Sequence, residues 1–165
     1  MKELIEKLKQ ILGCVSGYDL LVANAIADEI LSKVCSSEHK VSAQEVYNIL
    51  YAKYPNVDLQ IWDSNYYLLP LSEWIEVLED VRVGLPTYLK DKFDCENFAI
   101  VTSARVALNY LINSCGIAVG NGHAFNLILA YEDGKIVPHT YEPQTKGKII
   151  FDQPHLVIDR TVILG

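Results

Sequence analysis

The sequence predicts an α+β domain: helices first, one long apolar helix in the middle, and a mostly antiparallel sheet last. Three observations carry that prediction. Before Pro55, apolar residues recur at the spacing of one helix face; from Phe98 to Ile112 polar residues are almost absent; after Cys115, short apolar runs are punctuated by turns containing Gly and Asp.

Leu4, Ile5, Leu8, Ile11 and Leu12 keep the period of a first helix, which Gly13 stops. A second runs from an Asp19 cap through Leu20, Leu21, Ala23, Ile26, Ala27, Ile30, Leu31 and Val34, and Cys35-Ser36-Ser37 closes it. Ser42 and Glu45 form a capping box, so a third helix spans about 43–53 and ends before Pro55. Val57 to Trp62 alternates as a strand does, Asp63-Ser64-Asn65 turns, and Tyr66-Tyr67-Leu68-Leu69 extends or leads out. Ser72 caps a helix bearing Trp74, Ile75, Leu78 and Val81, which Gly84-Leu85-Pro86 ends. A charged connector, Tyr88 to Phe93, delivers the chain to the central helix, buried throughout, which starts at an Asp94 cap and stops at Cys115-Gly116. Ile117-Ala118-Val119 is a short strand before a flexible Gly120-Asn121-Gly122. The runs 124–131 and 135–142 then form a hairpin about Glu132-Asp133-Gly134, and 149–151, 156–158 and 161–163 supply at least two more short strands. The chain reads as one domain over 1–165, with about 1–55 a helical N-terminal part and about 56–165 the core.

Composition narrows the function. A chain of 165 residues, 50% hydrophobic and 21% charged, can bury a single core and is neither disordered nor fibrous. Its net charge of −7, from 14 basic and 21 acidic residues without a basic cluster, argues against a nucleic-acid partner. No signal peptide is visible, and the run to Ile112 is interrupted by Arg105 and Asn109 and falls short of the roughly 18 residues a membrane span needs. The expectation is a cytoplasmic protein, with the oligomeric state open. Cys14, Cys35, Cys95 and Cys115 have no zinc-knuckle spacing, and a reducing compartment favours free thiols over two disulfides.

Cys95 is the residue with chemical promise. At the first position of a helix it meets free backbone N–H groups and the positive helix end, which favour the nucleophilic thiolate. His123 is a candidate base for it and Glu142 a candidate orienter of His123. The hairpin turn places His123 and Glu142 about equally far to either side, so the two are expected opposite one another. His139 shares the strand of Glu142 but by alternation faces the other way.

A cysteine opening a helix, a histidine starting a strand and an acid on the next strand, in that chain order, resembles the papain-like and transglutaminase-like cysteine hydrolase superfamily. Asp94-Cys95-Glu96-Asn97-Phe98-Ala99 is similar to the acidic-Cys-acidic helix start of bacterial transglutaminase-like cysteine proteinases. Together with Gly122-His123-Ala124-Phe125-Asn126 and Glu142-Pro143-Gln144 it resembles the protease domain at the C-terminus of a fungal mushroom agglutinin. The resemblance covers about residues 60–150. It implies a papain-like fold, a thiol protease or amidase cutting a peptide or protein substrate through a Cys95–His123–Glu142 catalytic triad, and activation by Ca2+.

Calcium also has a physical argument. Two carboxylates about 6 Å from a thiolate each disfavour it by roughly 1–3 kcal/mol for an effective dielectric between about 80 and 20, against about 0.3–1 kcal/mol in its favour from the helix end. A bound cation reverses that sign by taking Asp94 and Glu96 as ligands, with Asn97, Asp91 or backbone carbonyls completing its shell. One departure from the resemblance stands at Leu89, where papain-like proteases place the glutamine of the oxyanion hole. The Cys95 N–H supplies one donor, and Gln144, Gln60, Tyr88 or Trp62 are candidates for the second, with Asn126 a supporting residue. Two alternatives share these residues: acyl transfer to an amine, and a non-catalytic calcium-binding module. The bland reading of a cysteine opening an apolar helix is a small buried hydrophobe.

Overall fold

The structure, a computed structural model, describes residues 38–165. The two helices expected over about 4–12 and 19–34, with Cys14 and Cys35, lie outside the described residues. Within them the chain runs β1 (His39–Ser42), α1 (Ala43–Lys53), β2 (Asp58–Ile61), β3 (Asn65–Pro70), α2 (Leu71–Val81), α3 (Cys95–Tyr110), β4 (Cys115–Gly120), β5 (His123–Glu132), β6 (Lys135–Tyr141) and β7 (Thr161–Leu164). The strand and helix at 39–53 belong to the same compact unit as the sheet.

Local chemistry explains the boundaries. The expected capping box starts α1: the Ser42 N–H donates to Glu45 Oε2 at 2.9 Å and the Glu45 N–H to Ser42 Oγ at 3.3 Å. Helix α2 begins at Leu71 behind a Pro70 cap, two residues earlier than the expected Ser72 cap would start it, because Pro70 still pairs with Tyr131 as the last residue of β3 and its backbone turns directly into the helix. Helix α3 begins at Cys95 behind Asp94 as expected. It stops before Cys115, because Leu111 takes the left-handed conformation (φ 57°) and its N–H closes on Ala107 O. The helix is also not buried all round: Phe98, Ala99, Thr102, Val106 and Tyr110 face inward while Ile100 and Leu108 are exposed.

Seven strands run in the order β1-β3-β5-β4-β7-β2, with β6 added to β5, and the sheet is mixed: most of its pairings are antiparallel, as expected, but two are parallel. β2 pairs parallel with β7, from Asp58↔Thr161 to Ile61↔Leu164, and β3 meets β5 in parallel at Leu69↔Ala130 and Pro70↔Tyr131. Alternation of apolar residues tells which face of a strand is buried but not which strand lies beside it, so these long-range parallel pairs leave no local mark. Of the tail strands, at least two of which were expected, one forms among the described residues, β7; Phe151 makes a single bridge to Tyr141, and 156–158 instead lays Leu156 and Ile158 on the core.

Two tight hairpins set the site end of the sheet. Asp133-Gly134 joins β5 to β6 with φ of 48° and 79°, as its sequence predicts. Asn121-Gly122, expected as flexible, is the same kind of two-residue turn (φ 51° and 72°) and pairs Gly120 with His123. Gly120 has to be glycine for another reason, since a Cβ there would sit 1.9 Å from Val157 O. On one face of the sheet Phe125, Leu127 and Leu129 pack with Val46 and Leu50 of α1. On the other, Trp74 of α2 donates to Leu129 O at 3.0 Å and Asn126 donates to Ala99 O of α3 at 2.9 Å.

Candidate functional site

The N-terminus of α3 is built by its own loop. The Asp94 N–H donates to Asn97 Oδ1 at 3.2 Å, and Asp94 Oδ2 accepts the Asp91 N–H at 2.9 Å, with Asp91 in the left-handed region (φ 59°). Just before it, Leu89 bridges to Phe93, so the residue standing in the expected glutamine position is held by its backbone and offers no side-chain donor. Cys95 is therefore placed at the mouth of a helix, half-buried, as the sequence predicts.

His123 and Glu142 come together. His123 Nε2 lies 2.5 Å from Glu142 Oε2, and the other carboxylate oxygen accepts the Gln144 N–H at 3.1 Å. Glu142 is only 7% exposed, so these two contacts replace most of its hydration. The pairing is diagonal, however. With Asn126↔Tyr141 the last pair of the ladder, the register sets Glu142 across from Phe125, and the two-residue turn accounts for the offset from the expected face-to-face arrangement.

Cys95 does not join them by a hydrogen bond. Its thiol donates to Glu96 Oε2 at 3.2 Å, while the Ala124 N–H, next to His123 in the chain, faces the sulfur. Burial pushes the Cys95 thiol up, the Ala124 N–H works against that, and the Glu96 carboxylate pushes it up further. The site thus holds the Cys95 thiol, bonded to Glu96, beside a hydrogen-bonded imidazole–carboxylate pair.

The other candidates divide. Asn126 is fully buried and structural: its Nδ2 ties Ala99 O of α3 to Gly116 O of β4. Gln144 contributes its backbone to Glu142, Gln60 is turned onto Asp58, and Trp62 is 68% exposed away from the cleft. Asp91, Asp94, Glu96 and Asn97 lie together but are largely spent on one another and on the thiol, and among the described residues no group of three His, Cys, Asp or Glu converges to hold a metal. Asp94 Oδ1 alone is buried without a partner.

A cleft of about 370 Å³ opens between the loop after α2 and the segment Pro143–Gly147 that follows Glu142, with Phe98 of α3 in its wall. Arg82, Tyr88 and Lys146 line it, and sequence reasoning missed Arg82 and Lys146 because neither falls in a motif. His139 was expected to face away from Glu142, and it does: both its ring nitrogens meet carboxylates, Asp152 Oδ2 and Glu132 Oε1, each at 2.5 Å.

With that geometry established, the chain can be set beside known proteins. No family model and no curated protein matches it. Its fold is shared with solved structures. One, described as the PSL1a–E64 complex, is 23% identical over 68% of this chain and 46% of that one, with a TM-score of 0.50. Another, Polyporus squamosus lectin bound to the human-type influenza-binding epitope Neu5Aca2-6Galb1-4GlcNAc, is 21% identical over 68% and 45%, with a TM-score of 0.51. The chain spans less than half the length of either.

These findings correct the sequence reading. The structures sharing the fold go under the name of a lectin, and neither description names a hydrolase, so the assignment to the papain-like and transglutaminase-like superfamily and to an agglutinin protease domain is not supported. Likeness at this identity carries a fold and no activity. The papain-like fold name gives way to a mixed seven-stranded sheet with three helices among the described residues. The expectation of a cysteine protease or amidase, with its acyl-transfer and calcium-module alternatives, is withdrawn together with the peptide substrate, since the lectin is described with a glycan. No helix among the described residues is long and apolar enough to cross a membrane.

Proposed function

We propose that the chain is a ligand-binding domain of a lectin-related protein, taking a sugar-sized ligand in the cleft beside the His123–Glu142 pair. The observation that carries this reading is the cleft itself. Its volume of about 370 Å³ is that of a small-molecule site, and its wall combines aromatic, amide, hydroxyl and cationic groups. The two solved structures named above are each described with a small bound ligand, E64 in one and a sialylated trisaccharide in the other, which supports the reading. Titrating the full chain with that trisaccharide in a calorimeter tests it. Saturable one-site binding is the expected result, and no heat and no change in the NMR spectrum at millimolar ligand would overturn it.

Cys95, His123 and Glu142 are proposed as a reactive set next to the Pro143–Gly147 wall of the cleft, with Cys95 a thiol able to take an electrophile, His123 its base and Glu142 the orienter of His123. The 2.5 Å contact between His123 and Glu142, next to the peptide that faces the sulfur, supports treating them as one set. E64 is the probe for this part. Intact mass after incubation should show an adduct that Cys95→Ala abolishes, and an adduct that persists in Cys95→Ala would place the reactive group elsewhere. Calcium is carried as a proposal on the unpaired Asp94 Oδ1, with the Asp91 carboxylate and, once released from the Cys95 thiol and the Asp94 N–H, Glu96 and Asn97 as the further oxygen donors.

A further inference from the structure

The segment 143–151, whose first half walls the cleft, is fastened at each end by a histidine–carboxylate contact. At the near end Glu142 Oε2 meets His123 Nε2 at 2.5 Å and Oε1 accepts the Gln144 N–H at 3.1 Å. At the far end Asp152 closes onto β6. Its N–H donates to Thr140 O at 3.0 Å, its Oδ1 accepts the Thr140 N–H at 2.9 Å, and its Oδ2 meets His139 Nδ1 at 2.5 Å. The backbone of Asp152 is left-handed (φ 52°), a conformation aspartate visits when its short side chain bonds nearby backbone, as it does here.

The two ends differ in the protons they need. An ionised carboxylate only accepts, and a neutral imidazole has one N–H to give. One N–H is enough at the near end, where His123 meets Glu142 through Nε2. At the far end His139 is wedged between two carboxylates: Nδ1 faces Asp152 Oδ2 and Nε2 faces Glu132 Oε1, each at 2.5 Å, with the ring only 13% exposed. Both contacts are hydrogen bonds only while the ring carries two protons. With one, a ring lone pair is set against a carboxylate lone pair at one of them.

The other groups about this cluster are few. Lys135 lies across from Glu132 in the β5–β6 register, and Lys53, at the C-terminal end of α1, donates to Pro138 O at 2.8 Å and brings its charge near Asp152. The Tyr54 phenol also feels Asp152, but burial and that carboxylate push it up to about 12, which keeps it neutral. Phe151 lays its ring beside the imidazole, 5.6 Å between centroids. Histidine is the side chain among these that ordinarily changes charge between about pH 5 and 8.

We propose that Glu132, His139 and Asp152 form a proton-dependent clasp on the segment 143–151, closed while the His139 ring bonds both carboxylates and loosened when it gives up one proton to water. A charge-assisted hydrogen bond is roughly twice as strong as a neutral one, so Asp152 is held less firmly whichever carboxylate keeps the remaining N–H. The contribution of the clasp is therefore present at the acid end of that pH range and is lost as pH rises. The near end needs one proton and holds throughout. The clasp acts on a wall of the cleft whatever the cleft binds.

Amide hydrogen exchange of the full chain, read residue by residue by NMR and corrected for the intrinsic effect of pH on exchange, tests the proposal. Protection of the Thr140 and Asp152 N–H groups should fall about fivefold or more from about pH 5.5 to about pH 8, while that of the Gln144 N–H at the near end is unchanged. In His139→Gln, whose amide carries no titrating charge, the protection should not vary with pH. Glu132→Gln keeps the histidine and leaves it a single carboxylate, so the fall should shrink to about twofold; this variant covers the case in which His139→Gln does not fold. Protection that stays constant in the parent would overturn the clasp. So would a fall that persists at full size in the variants, which would point instead to His155, exposed three residues beyond Asp152.

Discussion

Glu142 reaches His123 diagonally: the β5–β6 register sets it across from Phe125, yet its Oε2 stands 2.5 Å from His123 Nε2. The two partners are unequal in exposure, 29% for the His123 side chain and 8% for that of Glu142. Removing the imidazole strands a buried carboxylate with only the Gln144 N–H, whereas removing the charge of Glu142 leaves a histidine that water can still reach.

His123→Ala is therefore expected to destabilise the domain by about 2–3 kcal/mol and Glu142→Gln by about 1 kcal/mol. Urea unfolding of the two variants gives both numbers. The reverse order would mean that Glu142 is solvated in the folded protein.

The thiol of Cys95 is held up by burial and by the Glu96 carboxylate it bonds to, and that of Cys115 is fully buried and pushed up to about 12. Since only the thiolate reacts, alkylation by iodoacetamide at neutral pH should label Cys95 slowly and leave Cys115 unlabelled in the native state. Glu96→Gln should speed labelling of Cys95 several-fold, because it removes a negative charge next to the sulfur and leaves only a weaker, neutral acceptor for the thiol proton. Peptide mapping after timed labelling reads all of this, and a rate unchanged by Glu96→Gln would show that burial alone sets the thiol.

What was legible in the sequence was mostly local. The Ser42–Glu45 box, the Asp94 cap that sets Cys95 at the start of α3, and the Asp133-Gly134 turn each depend on residues within a few positions, and each lies where the sequence put it. The Asn121-Gly122 turn carried the same signal and was passed over as flexible. The parallel pairs β2–β7 and β3–β5 were not legible, because a strand's alternation fixes its buried face and says nothing of its neighbour. At the site, the contact of His123 with Glu142 followed from the hairpin, but the Cys95 thiol turned to its own neighbour Glu96, an interaction between adjacent residues that the search for distant partners did not weigh. Arg82 and Lys146 face one cleft from segments far apart in the chain, and no spacing rule joins them.

The acids around Cys95 offer a test of calcium. Asp94 Oδ1 is buried and unpaired, and Asp91 and Glu96 add charge close by, so a hard cation would relieve an acceptor that the protein leaves unsatisfied. If calcium binds there, the melting temperature should rise with calcium over chelator by the few degrees that about 1–2 kcal/mol of linkage gives, and Asp94→Asn should cancel the rise. Equal melting temperatures in calcium and chelator would sink the proposal.

Asp152 ties the far end of the cleft-bearing loop to the sheet, through Oδ1 to the Thr140 N–H at 2.9 Å and Oδ2 to His139. Burial pushes its carboxyl up, but the Thr140 N–H, the His139 ring and the charge of Lys53 outweigh that and hold it below the usual aspartate value. A carboxyl lowered on folding contributes stability that is fully present above its unfolded value, about 3.9, and is lost as pH falls through the lower folded value. Asp152→Asn should thus destabilise the domain at neutral pH by up to about 1 kcal/mol, modest because the side chain is half exposed, and the variant and the parent should converge in acid once the pH has fallen through the lowered folded value. Urea midpoints at neutral and acid pH measure the gap. A gap that stays constant across that range would mean that Asp152 acts through its shape and hydrogen bonds alone, not through its charge.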